Sequence, residues 1–75
     1  MIPQDELDAF VLTVSEAFGC GAEGRIPRGY LLLRDGLRAA QETEAPWQAA
    51  QAALWERGLQ QFKLRFPADW YPPDP

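Results

Sequence analysis

"GCGAEGRIPRGY", residues 19–30, is the stretch on which the fold turns. Gly19, Gly21 and Gly24 reproduce the G-x-G-x-x-G spacing of a dinucleotide-binding loop. That spacing cradles a pyrophosphate only between a strand and a helix, with a second parallel strand further on. Here the glycines are followed by two helical patterns and a proline-rich end, so no second strand completes a βαβ unit. Glu42 and Glu44 fall near the distance at which a ribose-binding acid is sought, yet they sit in an interhelical turn rather than at a strand end. The stretch therefore reads as the end of one helix and the connection to the next. Gly19 is placed as the terminal glycine, because glycine enters left-handed backbone without a Cβ penalty.

Upstream of the glycines, Leu7, Phe10, Val11, Val14, Ala17 and Phe18 recur at helical spacing and predict one apolar stripe. Asp5, Glu6 and Asp8 crowd the first turn, where the helix dipole favours negative charge. Downstream, Pro27 suits the first turn of a second helix. Tyr30, Leu33, Leu37 and Ala40 line its inner face. "ETEAPW", residues 42–47, interrupts the pattern, with Thr43 as the expected N-cap of a third helix. That helix carries Trp47, Ala50 and Leu54 on one face, and Trp55, Leu59, Phe62 and Phe66 on another. Two apolar faces place it between two neighbours. Pairing outward from the turn sets Ala40 near Trp47, Leu37 near Ala50, Leu33 near Leu54 and Tyr30 near Gly58. The buried set is expected to be Leu7, Phe10, Val11, Val14, Phe18, Leu33, Leu37, Leu54, Leu59 and Phe62. Pro67 stops the third helix. The expected fold is all-α: one small domain over residues 1–75, an up-down-up bundle with helices at about 3–18, 28–42 and 44–66. A proline-rich tail, 67–75, is expected to pack back on it.

A chain of 75 residues sits near the lower limit for a self-sufficient core. Such chains need a staple, a partner or good helix packing. Cys20 is the only cysteine and there is no histidine, so neither a disulfide nor a Cys/His zinc site is available. A lone thiol fits a reducing, cytoplasmic setting. "MIPQDELDAF" lacks an apolar h-region, and no apolar run is long enough to cross a membrane. The single lysine against six arginines, with abundant alanine, suggests a GC-rich bacterial genome.

Seven basic and eleven acidic residues leave a net charge of -4, which weighs against a general nucleic-acid binder. No catalytic, cofactor-binding or metal-ligating residue is assigned. Cys20 has no histidine to activate it. Asp5 with Asp8, and Glu42 with Glu44, follow no calcium-loop spacing. Arg34 and Arg38, one turn apart, are interrupted by Asp35 and by the nearby Glu42 and Glu56, and read as a solvated face. Arg25 and Arg28 stand at the start of the second helix, against its dipole. They need an anion or a carboxylate of the same chain: Glu23, Asp69 or Asp74.

The aromatic surplus is the strongest functional signal. Three tryptophans, two tyrosines and four phenylalanines exceed what three short helices cover. Surplus apolar surface marks an interface, and Trp47, Trp55, Trp70 and Tyr71 are its candidates. The reading is a non-enzymatic interaction module without a cofactor, a homodimer or the partner of another protein. The alternative is a small nucleic-acid- or anion-binding helical protein using Arg25, Arg28, Lys63 and Arg65.

Overall fold

A computed structural model describes residues 1–72. Three helices account for most of it: α1 Gln4–Ala22, α2 Ile26–Glu42 and α3 Gln48–Arg65. Among the described residues there is no strand. The glycine stretch is thus helix end and turn, and the dinucleotide loop is absent.

The end of α1 differs from the expected one. The helix runs through Gly19, Cys20 and Gly21 to Ala22, and the residue with left-handed backbone is Gly24, at φ 84°. The Arg25 amide donates to the Cys20 carbonyl at 2.8 Å and the Gly24 amide to the Gly21 carbonyl at 3.1 Å. This is the pair of bonds with which a terminal glycine closes a helix. Gly19 is passed over because the extra turn buries Cys20 and Gly21. A Cβ at Gly21 would stand 2.5 Å from the Phe66 ring.

The other boundaries move for equally local reasons. α2 begins at Ile26, with Pro27 in its first turn. Thr43 ends α2 instead of starting α3: its hydroxyl donates to the Ala39 carbonyl at 2.9 Å. The chain then turns through Pro46, the Gln48 amide donates to the Ala45 carbonyl, and α3 begins at Gln48.

That later start slides α3 along α2 by about one helical turn. Gly36 faces Trp55 and Gly29 faces Phe62, instead of Leu33 facing Leu54 and Tyr30 facing Gly58. The glycines on α2 and the aromatics on α3 share a seven-residue spacing, so ring after ring settles on bare backbone. Gly58 serves a different neighbour. Phe10 and Val14 of α1 approach the position of its missing Cβ at 3.5 and 3.6 Å. The three atoms nearest that position all belong to α1 rather than to the Tyr30 ring.

α1 and α3 run parallel in one register. The Gln51 amide donates to the Glu6 carboxylate at 2.9 Å. Phe10 meets Trp55 edge-on at 4.9 Å between ring centres, and Phe18 meets Phe62 in the same manner at 5.6 Å. Aromatic rings thus span the gap between the two outer helices. Leu33, Phe62, Ala17, Tyr30, Ala40, Trp55 and Leu59 form the buried core. Phe10, Val14, Phe18 and Leu37 pack against it half-buried, and Leu7 and Leu54 are likewise half-buried. Val11 is exposed, a correction to the expected core. It lies about 100° round the helix from Phe10, beyond the stripe that faces α2 and α3. The described residues extend 35 × 25 × 15 Å along their principal axes. No helix among them is long and apolar enough to cross a membrane.

Candidate functional site

The four aromatic candidates for an interface separate into different environments. Trp55 is buried, with only 6% of its surface exposed, between Gly36 and Phe10. Its ring belongs to the core, so the expectation that it faces a partner gives way. Trp47 is half-buried at the N-terminal boundary of α3. Its indole N–H and the Oε1 of Gln51, one turn further on, are buried without hydrogen-bond partners among the described residues.

Trp70 and Tyr71 are brought together beside Tyr30. Trp70 stands edge-on to Tyr30 at 5.6 Å, and Tyr71 lies tilted against it at 5.3 Å. The Tyr71 hydroxyl donates to the Phe66 carbonyl at 2.5 Å, and the Lys63 ammonium sits 5.8 Å from the Tyr71 ring centre. Burial, and secondarily the nearby Tyr30, hold the Tyr71 hydroxyl above its ordinary pKa. Trp70 keeps 47% of its surface exposed. The proposed docking of the tail extends to residues 73–75, which lie outside the described residues, and Asp74 with them.

The two arginines at the head of α2 both face carboxylates of their own chain. Arg25 pairs with Glu23, whose hydrogen bond and charge raise the pKa of the guanidinium. Arg28 lies 3.6 Å from Glu16 of α1, a partner that the sequence reading did not name. Asp69 is exposed and makes neither pair. All four pairing side chains are more than half exposed, so solvent screens both pairs. Each arginine at the head of α2 thus has a carboxylate of its own chain beside it. Lys63 and Arg65 stand in the last turn of α3, where the dipole favours them.

Cys20 is a buried free thiol within α1. Among the described residues no group of three or more acidic, cysteine or histidine side chains is placed to share a metal ion.

Two features escaped the sequence reading. Leu12, Leu31 and Leu64 are 71%, 54% and 75% exposed, one on each helix. Their helical positions carry the signal: Leu12 lies roughly opposite Phe10, Val14 and Ala17 on the α1 wheel. The second feature is a half-open groove of about 570 Å³ between α2 and α3. Leu37 and Leu59 line its floor, with Arg34, Arg57 and Lys63 around them. Arg34 also donates to the Tyr30 hydroxyl at 3.1 Å, which joins the groove to the aromatic cluster of the tail. Comparison of the chain with family models, with curated proteins and with solved structures finds no match.

Proposed function

We propose that this protein is a non-enzymatic interaction module whose first partner is a second copy of itself. The observation that supports the reading is that every helix keeps a leucine in water after the core is complete: Leu12, Leu31 and Leu64. Burying such a side chain is worth about 1.5–3 kcal/mol, and a 75-residue chain has few other means of adding stability. The tail belongs to the same proposal. Trp70 and Tyr71 close the base of the bundle over Tyr30, and the exposed half of Trp70 extends the apolar surface a partner meets. The lone buried thiol suits a cytoplasmic setting, where it stays reduced.

The proposal is tested by thermal unfolding over roughly a hundredfold dilution series, with mass measured alongside. Association that stabilises only the folded chain raises the melting temperature with concentration. A constant midpoint and a monomeric mass throughout would refute self-association.

A further inference from the structure

The charges of the molecule are divided between its helices. α1 carries Asp5, Glu6, Asp8 and Glu16 and no basic residue. Asp5, Asp8, Leu12 and Glu16 follow one another at three- and four-residue steps, so they form a single outward stripe, and all four are exposed. That stripe is an acidic rim around a bare leucine.

The α2–α3 groove is its complement. Leu37 and Leu59 supply an apolar floor, and Arg34, Arg57 and Lys63 outnumber Glu56 among the charged residues lining it. Among the described residues neither Arg34 nor Arg57 has a carboxylate within ion-pair distance. Two copies of the groove would bring like charges together, which disfavours pairing this face with itself.

One chain cannot join the two surfaces. No residue of α1 lines the groove, and Arg34 and Leu37 lie about 120° and 180° round α2 from Arg28, which pairs with Glu16 of α1. The acidic stripe and the groove therefore occupy different faces of the molecule. Resting on the self-association reading, we infer that the outer stripe of α1 in one copy docks in the α2–α3 groove of the next. Leu12 seats on Leu37 and Leu59, and Asp5 and Asp8, which make neither ion pair of their own chain, reach the arginines. Such a contact is heterologous: a dimer is its first step, and each dimer leaves one stripe and one groove unused.

Sedimentation velocity on the full chain and on two surface variants, Leu12→Lys and Arg57→Glu, tests this. Both positions are exposed, so both variants should keep the wild-type far-UV circular dichroism. Each should weaken self-association by about tenfold or more, the scale of losing one anchoring contact. An equimolar mixture should recover a dimer and stop there, because Arg57→Glu retains the stripe and Leu12→Lys retains the groove. Raising the salt should weaken wild-type association. A wild-type chain that is monomeric at every concentration overturns both this contact and the self-association it rests on. A wild type that associates while neither variant changes its mass overturns the contact alone. Two monomeric variants whose mixture stays monomeric overturn the head-to-tail arrangement.

Discussion

Glycine and ring are complementary at single positions in this protein. Gly29 is the least forgiving case, because an added Cβ would stand 2.5 Å from the Ala17 carbonyl oxygen, a backbone atom, and 2.7 Å from the Phe62 ring. Backbone cannot swing aside as a flexible side chain does. Gly19 is the opposite case: it is helical, and nothing lies within 4 Å of its missing Cβ. Alanine is better than glycine inside a helix by about 1 kcal/mol. Gly19→Ala should therefore stabilise the fold by up to about 1 kcal/mol. Gly29→Ala should destabilise it by roughly 1–3 kcal/mol, because overpacking outweighs the propensity gain. Urea unfolding of the two variants at one low protein concentration decides the matter. If both move stability in the same direction, α1 and α2 do not approach as described.

At the scale of elements, the described part of the tail packs its Trp70 and Tyr71 rings against Tyr30, and a hydrogen bond from Tyr71 fastens it to Phe66. The Tyr71 hydroxyl bonds to the Phe66 carbonyl only while it keeps its proton, and its pKa lies above the ordinary value. A group that holds its proton more tightly in the folded chain adds stability that is fully present below the unfolded pKa, near 10. That stability is lost as the pH rises through the higher folded value. Tyr71→Phe should cost about 0.5–1.5 kcal/mol at neutral pH, toward the lower figure because the contact is part-exposed. The gap between wild type and variant should close above about pH 10. Denaturation midpoints measured on both sides of that pH read it directly, and a gap constant with pH would place the hydroxyl in water. The α2–α3 connection acts at the same scale. Pro46 and the Ala45–Gln48 turn delay α3, and the delay sets which residues of the two helices meet.

For the molecule as a whole, Phe62 is the centre of the fold. It is fully buried, covers Gly29 and touches the rings of Phe18 and Phe66. Phe62→Ala should cost about 3–5 kcal/mol, which is comparable to the whole stability expected of a domain this small. Val11→Ala should change little, since Val11 is exposed. Far-UV circular dichroism at 25 °C distinguishes them: the first variant should be largely unfolded and the second native. Retained helix in Phe62→Ala would mean that the core is shared more evenly than the ring contacts imply.

Three helices, their order and their inner stripes were legible in the sequence, because periodicity, proline and first-turn charge act within a few residues of where they are read. Leu33, Leu59 and Phe62 were assignable to the core on that basis. The exposed leucines are legible too, since Leu12 falls opposite Phe10, Val14 and Ala17 on the α1 wheel. Other features belong to tertiary structure alone. Gly19 and Gly24 are equally able to end α1, and the choice falls on Gly24 because Cys20 and Gly21 gain burial, with Phe66 over Gly21. Trp47, Trp55 and Trp70 are the same residue type on the same end of the chain. Only Trp55 is drawn inside, because Gly36 of another helix leaves a space for it. Local propensity makes each helix and aims its stripe. The register of one helix on another depends on where a ring from one meets a missing side chain on the other, and that match exists only after the helices have docked.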